Sequence, residues 1–179
     1  MSIVRRYRDT TADDGTRLFE YREAWCAPGS GEVVVHHGKV GQPGTVSEET
    51  VADDAAGAEL LEAFAAQCAE DGFAELEDAA LTDLVVAYRL RGRTATGIER
   101  RHGETLAGEI THQLAWRGLG EVVDTVQAEG VLELHVRTPH AGRATKEIPV
   151  AAKRAHGIQP NKIEVRRDRT ASTDAGKDA

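Results

Sequence analysis

The chain has 179 residues, of which 40% are hydrophobic and 29% are charged, and its formal net charge is −8 at pH 7. This length suits one domain of moderate size or two small ones, and the negative charge excludes uniform attraction to nucleic acid or to anionic lipid. Cys26 and Cys68 form no Cys-x-x-Cys motif, and no signal peptide or membrane span is apparent, so we expect a cytoplasmic protein with reduced thiols.

Charge divides the chain into an acidic part and a basic part. Residues 1–83 carry 6 Lys and Arg against 18 Asp and Glu, a net charge of −12, whereas residues 84–170 carry 15 against 10, a net charge of +5. A shift of this size favours two units. We predict an acidic domain over residues 1–78, a basic domain over 82–168 and a disordered tail over 169–179, which lacks apolar periodicity.

The acidic part predicts a small antiparallel sheet. Leu18–Trp25 and Glu32–His37 have the composition of strands, and the loop between them is rich in glycine, proline and serine, which is typical of a hairpin. A third strand is predicted over Thr45–Val51, after a turn that has glycine at positions 38, 41 and 44. Glycine allows the backbone to double back where a Cβ atom would clash.

A helix is predicted directly after this sheet. Asp53 and Asp54 offer an N-cap, because an aspartate side chain accepts a hydrogen bond from the free amides of the first turn. Gly72 is well placed as the glycine that ends the helix, with Phe73 supplying the hydrophobic contact of a Schellman motif. Between these ends, apolar residues recur at helical spacing: Leu60, Leu61, Phe64, Ala65 and Cys68.

The order of these elements, with His37-Gly38-Lys39-Val40-Gly41 followed by Gln-Pro-Gly, resembles the WGR domain over about residues 5–76. This family of nucleic-acid-binding modules occurs in poly(ADP-ribose) polymerases and in short bacterial proteins. The resemblance implies an antiparallel sheet with one helix and a nucleic-acid ligand. In the polymerases the signature tryptophan and arginine belong to the DNA-holding surface, and here the signature is His37-Gly38-Lys39. A ligand-free glycine turn is the alternative, and the net charge of −12 opposes phosphate contact.

The basic part predicts a second sheet with two helices. Its order, β-α-β-β-α-β, is that of a ferredoxin-like sandwich, with both helices on one face of an antiparallel sheet. Pro149 is tolerable only near the first turn of the second helix. The predicted elements are a strand at Leu84–Arg91, a helix at Ile98–Trp116, strands at Glu121–Gln127 and Val131–Arg137, a helix within Ala144–His156, and a strand at Lys162–Arg166.

In that topology the first and third strands are neighbours at the centre of the sheet. Alternation then predicts that Arg89 and Arg91 lie beside His135 and Arg137 on the open face. Such a face is a candidate for binding nucleic acid, although the aromatic pattern of RNA-recognition folds is absent. Docking on the acidic half, on a partner or on a second copy is an alternative, and a solvated face of mixed charge is another.

The sequence contains no recognisable catalytic or metal-binding motif. His36 and His37 are adjacent in a strand and therefore point to opposite faces, so they do not share a metal. We predict a non-catalytic binding module without a cofactor, and the resemblance to the WGR domain implies DNA or RNA as its ligand. The alternative is a protein-interaction or regulatory protein whose acidic half docks on or masks a basic surface, and an enzyme is a third class. The candidate nucleic-acid contacts are His37, Gly38, Lys39, Arg89, Arg91 and Arg137.

Overall fold

The computed structural model of the chain describes residues 2–167, so the predicted tail at 169–179 lies outside the described residues. The fold is mixed α+β, as predicted, and the described residues form two antiparallel four-stranded sheets and three α-helices. The chain divides into two compact units. The first comprises the residues up to Glu77 together with Trp116–Gly118, and the second comprises Asp78–Ala115 and the chain from Leu119 onward.

The first unit contains a sheet in which each strand pairs with the next along the chain. Its strands are β1 (Ser2–Thr11), β2 (Arg17–Cys26), β3 (Glu32–Lys39) and β4 (Thr45–Thr50), and all neighbours are antiparallel. The strands predicted at β2, β3 and β4 are confirmed within two residues at each end. The sequence did not predict β1, because its three arginines obscure the strand pattern until acidic residues of β2 lie beside them.

Helix α1 (Asp54–Glu70) follows this sheet and has the predicted ends. Asp53 is the N-cap, and its carboxylate accepts a hydrogen bond of 2.9 Å from the Ala56 amide. At the other end Gly72 has a φ of +79°, and the Phe73 amide donates to the Cys68 carbonyl over 2.8 Å, which is the bonding of a Schellman motif. The helix packs on one face of the sheet through a core of Ala24, Cys26, Val33 and Leu61.

The second unit has the element order β-α-β-β-α-β. Its sheet has the strand order β6-β7-β5-β8, so the first and third strands are central neighbours, as predicted. The elements are β5 (Thr82–Arg89), α2 (Gly97–Ala115), β6 (Glu121–Ala128), β7 (Val131–Thr138), α3 (Ala141–Arg154) and β8 (Ile163–Arg167). The core joins apolar residues of both helices to one face of the two central strands, including Leu84, Val86, Leu106, Ile110, Leu134 and Ile148.

Pro149 departs from its predicted place. Helix α3 begins at Ala141, so the proline lies in the middle of the helix and not near its first turn. Proline removes one backbone hydrogen bond there. The helix continues because Ile148, Ala151 and Ala152 are buried on its inner side, and their burial outweighs the missing bond. No helix among residues 2–167 is long and apolar enough to cross a membrane.

Candidate functional site

His37 and Lys39 lie where the signature turn begins, at the C-terminal end of β3. Both side chains are exposed, and they share a face of the sheet because they are two residues apart in one strand. His37 is paired in register with Arg22, and Lys39 with Glu20. Gly38 faces the other side and is paired with Tyr21. Of the three predicted signature residues, the structure therefore places His37 and Lys39 together on an exposed face, whereas Gly38 packs against Tyr21.

The glycines of the turn are required mainly for space. A Cβ atom at Gly44 would lie 2.2 Å from the Tyr21 hydroxyl and 2.3 Å from His36 Nε2, and one at Gly38 would lie 3.0 Å from the Gly44 Cα atom. Gly41 is instead required for its left-handed backbone, which has a φ of +86°. The turn therefore folds closely over Tyr21 and His36, and any side chain at position 44 would displace it.

A chain of buried polar groups lies under this turn. The Tyr21 hydroxyl is 2.9 Å from His36 Nε2, His36 Nδ1 is 3.8 Å from Glu23, and Glu23 forms an ion pair with Arg5. Tyr21, His36 and Glu23 are each at most 2% exposed. Burial is the main cause that raises the pKa of Tyr21, so its hydroxyl stays protonated. Sequence reasoning missed this network, because Tyr21 and Glu23 lie next to Glu20 and Arg22, and a run of polar strand residues does not show which of them is buried.

The segment Trp116–Gly118 completes the surroundings of the turn within the first unit. The Trp116 ring stacks on His36 with 4.8 Å between centroids and 16° between planes. The Gly41 amide donates a 2.7 Å hydrogen bond to the Arg117 carbonyl. Gly118 has a φ of +59°, and a Cβ atom there would lie 2.3 Å from the Tyr21 ring. The sequence predicted only a helix end at these residues, since no local pattern relates them to a turn seventy residues earlier.

Arginines of the first unit are engaged by carboxylates. In the pair of Arg5 with Glu23 the carboxylate is buried and the arginine is partly exposed, and the other four pairs have nitrogen–oxygen distances of 2.5 to 2.8 Å. The hydrogen bond from Arg17 lowers the pKa of Asp9, and that from Arg22 lowers the pKa of Asp71. A phosphate would have to compete with these partners. The other four pairs are Arg6–Glu75, Arg8–Glu20, Arg17–Asp9 and Arg22–Asp71.

In the second unit the predicted neighbours on the open sheet face are wrong. The register pairs Arg89 with Val131 at one end of β5 and Asp83 with Arg137 at the other. Because six residues of strand separate these positions, Arg89 and Arg137 are about 20 Å apart along the strand. Arg91 lies beyond the end of β5. The sequence located the right strands as neighbours, but antiparallel pairing sends their basic residues to opposite ends.

The open face is also mixed in charge and is not the basic surface that we expected. Arg137 lies 3.0 Å from Asp78 and 3.6 Å from Asp83, and Arg166 forms an ion pair with Glu133. Glu164 adds a further carboxylate on β8. Charges of both signs therefore lie on this face, and its binding of nucleic acid or of a partner stays a prediction.

A different group of cations gathers at the C-terminal end of β5. It consists of Arg89, Arg91 and Lys162, which we call the cationic end. Arg89 donates to the carbonyl of Asn161, the residue before Lys162, while Arg91 and Lys162 line one pocket. Within the described part of the chain none of the three forms an ion pair. Arg89 and Arg91 were predicted as contacts, whereas Lys162 was not.

The pocket beside the cationic end has a volume of about 300 Å³. Glu99 belongs to its lining and is only 5% exposed. Its carboxylate accepts hydrogen bonds from the amides of Thr96 and Arg91 and from the Thr96 hydroxyl, which lower the pKa of Glu99 to about 2. The lining residues are Tyr88, Arg91, Thr96, Ile98, Glu99, His102, Gly157, Gln159 and Lys162.

The two adjacent histidines lie on opposite faces of β3. His36 is buried and His37 is exposed, as expected for neighbours that point to opposite faces of a strand. Among residues 2–167 there is no group of three or more His, Cys, Asp or Glu side chains that could hold a metal ion.

Comparisons with protein-family models, with curated proteins and with solved structures found no match for this chain.

Proposed function

We propose that this chain is a non-catalytic nucleic-acid-binding protein that contacts phosphates through the cationic end of its second unit. The observation that carries the proposal is that Arg89, Arg91 and Lys162 form no ion pair within residues 2–167, although they lie in one region. Cations without carboxylate partners can bind phosphate and release its counterions without first breaking a salt bridge. Backbone phosphate, and not base sequence, is the ligand group that such a cluster suits.

The fold of each unit supports this function by analogy. In the first unit, a four-stranded antiparallel sheet with one helix on a face and a glycine turn after β3 supports assignment to a WGR-like fold. In the second, the order β6-β7-β5-β8 supports a ferredoxin-like fold. A fold by itself does not specify a ligand, so these assignments favour nucleic acid only in combination with the cationic end.

The signature turn has an accessory part in this proposal. His37 and Lys39 are exposed on one face, and Lys39 forms no ion pair among the described residues. Lysine retains a charge for phosphate but lacks the planar fork of the arginine that the WGR signature has. We therefore assign to Lys39 a single weak phosphate contact, smaller than the contribution of Arg89 with Arg91.

The decisive test measures binding of the full chain to labelled single-stranded and double-stranded DNA and RNA by fluorescence anisotropy over a range of salt concentrations. Arg89→Gln with Arg91→Gln should weaken binding by about tenfold or more at low salt. It should also reduce the slope of log K against log salt by ~1.8 for duplex DNA, since each phosphate contact contributes ~0.9.

The matched control is Arg137→Gln with Arg166→Gln. It removes the same charge from the same unit, but both arginines already have carboxylate partners. We expect this variant to bind within about twofold of the parent chain, because ion-paired arginines contribute little to phosphate binding. Absence of binding at low salt, or equal losses in both double variants, contradicts the proposed function.

A protein-interaction role is the second candidate, and an apolar groove in the first unit favours it. The groove has a volume of about 350 Å³, with Val4, Cys26 and Leu61 in its lining and the carboxylates of Asp54 and Glu62 beside them. Apolar walls with acidic residues suit a basic amphipathic peptide. Binding of a labelled lysine- and leucine-rich helical peptide, lost in Glu62→Lys, together with no binding of nucleic acid, would favour this role.

A further inference from the structure

The pocket in the second unit has the size and shape of a small-ligand site. Its volume of about 300 Å³ is at the lower end of the range for small-molecule sites, so it suits a small ligand or one group of a larger one. It lies between the end of β5, the first turns of α2 and the segment after α3. Polar and apolar groups from these three segments converge on it, which is the arrangement expected of a binding site.

The charges of the pocket favour an anion. Arg91 and Lys162 form part of its lining, and neither forms an ion pair within residues 2–167. The carboxylate in the lining belongs to Glu99, which already accepts three hydrogen bonds from Arg91 and Thr96. Glu99 therefore holds the loop from residue 91 to residue 96 on the start of α2. The charge of Lys162 also contributes to the lowered pKa of Glu99, so the lining has two cations against one carboxylate.

Two further polar side chains line the pocket and form a hydrogen bond with each other. The Tyr88 hydroxyl lies 3.4 Å from His102 Nδ1, and Tyr88 is 3% exposed. Burial raises the pKa of Tyr88, so the hydroxyl keeps its proton, which it can donate to a ligand when His102 Nδ1 carries the hydrogen of the bond between the two. The imidazole is closely packed against Gly157, where a Cβ atom would lie 2.5 Å from His102 Nε2. Gly157 has a φ of +80°, so glycine there allows both the turn and the close approach.

We propose that this pocket binds a phosphate monoester, with the charges of Arg91 and Lys162 on the phosphate and the Tyr88 hydroxyl as a hydrogen-bond donor. Two cations with separate geometries suit a dianion, since arginine provides a planar fork and lysine a point charge. The ring of Tyr88 and the side chain of Ile98, which is 59% exposed, provide apolar surface for the organic part of the ester.

This inference rests on the proposed function, because it uses the same cationic end. The two can be tested separately, because Tyr88 and the pocket enter only this inference. The phosphate group could belong to a free ester or to a nucleic acid. Phenyl phosphate and inorganic phosphate represent the free sources, and a labelled oligonucleotide represents the other. Displacement of the bound oligonucleotide by phenyl phosphate assigns the pocket to nucleic-acid phosphate, and binding of both without displacement assigns it to a free ester.

The test uses the ¹⁵N-labelled full chain, titrated with phenyl phosphate and with inorganic phosphate and followed by chemical-shift changes. We expect the largest shifts at Tyr88, Arg91, His102 and Lys162, and tighter binding of phenyl phosphate than of inorganic phosphate. Lys162→Gln should weaken binding by about tenfold or more, as expected for loss of one charge-assisted hydrogen bond. Tyr88→Phe keeps the ring and should weaken binding by about threefold or more.

Lys153→Gln is the matched control, because it removes the same charge from an exposed position on α3 that is not part of the pocket lining. It should change the affinity by less than about twofold. Equal effects of Lys162→Gln and Lys153→Gln would contradict the proposal that the pocket binds a phosphate monoester. Absence of binding of either phosphate at millimolar concentration would contradict it as well. If nucleic acid still depends on Arg89 with Arg91 in that case, the proposed function stands. Binding of phosphate without binding of nucleic acid would support the pocket as a phosphate site and contradict the proposed function.

Discussion

Basic residues have different surroundings in the two units. In the first unit, arginines on β1 and β2 lie beside carboxylates of the same sheet or of the segment after α1, and five of them form ion pairs. In the second unit, the cationic end has no such partners among the described residues, although the open sheet face nearby has several ion pairs. The difference shows that the number of arginines and lysines in a segment does not tell how many of them are available to bind a ligand.

The largest expected effect concerns the ion pair of Arg5 with the buried Glu23. Glu23→Ala should lower the free energy of unfolding by about 3 kcal/mol, because the partly buried charge of Arg5 would lose a carboxylate that is 2% exposed. Glu20→Ala is the control, since its pair with Arg8 is partly exposed, and it should cost about 1 kcal/mol or less. Urea denaturation followed by circular dichroism measures both losses. Similar losses would contradict the distinction between a structural and a surface ion pair.

The next effect tests the Trp116–Gly118 segment. Gly118 and Gly15 both have positive φ, but only Gly118 packs against Tyr21, whereas the space around Gly15 is open. Gly15→Ala should cost about 1–2 kcal/mol from backbone strain. Gly118→Ala should cost about 1–3 kcal/mol more, because its Cβ atom overlaps the tyrosine ring. Thermal unfolding compares the two variants, and equal shifts in Tm would mean that the segment does not pack on the turn.

An acid titration tests the loop beside the cationic end. Because hydrogen bonds lower the pKa of Glu99 from 4.5 to about 2 in the folded chain, its carboxylate stabilises the fold above pH 4.5, and this contribution is lost as the pH falls towards 2. Glu99→Gln should therefore reduce the dependence of Tm on pH over this range. The difference in Tm between this variant and the parent chain should be smaller at pH 2 than above pH 4.5. An unchanged pH profile in the variant would show that Glu99 does not hold the loop.

The smallest effect concerns the accessory contact in the first unit. Lys39→Gln should reduce the salt slope of duplex binding by ~0.9 or less and weaken binding by a few-fold, since one phosphate contact would be removed. Arg17→Gln is the control, because Arg17 is paired with Asp9 and lies in the same unit. Anisotropy titrations measure both variants. A larger effect of Arg17→Gln would contradict the expectation that unpaired cations contribute more to nucleic-acid binding than ion-paired ones.

Local features of the fold were predictable where neighbouring residues form them. The Asp53 cap, the glycine ending at Gly72 and the alternating residues of β7 are local signals, and each occurs in the structure as expected. The pairing of β5 with β7 followed from the order of the elements. Pro149 was misplaced, because the burial of Ile148 and Ala151 on the inner side of α3 is a tertiary effect that a propensity cannot include.

The site was less predictable than the fold. Arg89 and Arg91 were found by their charge, but their neighbours were wrong, since register decides which end of a strand a residue occupies. Lys162 was missed, because it is some seventy residues from Arg91 and meets it only at the pocket. The buried contacts of His36 with Tyr21 and Glu23 gave no sequence signal, because polar residues at alternating strand positions are usually exposed.

The sequence by itself determined the α+β class, the order of most elements and the ends of α1, because caps, glycine turns and hydrophobic periods act within a few residues. Only the tertiary structure decided which cations are neutralised, which glycines are needed for space and where a pocket forms. These properties depend on strand register and on contacts between distant segments. Electrostatic pairing and close packing act over a few ångströms of space, whatever the separation along the chain.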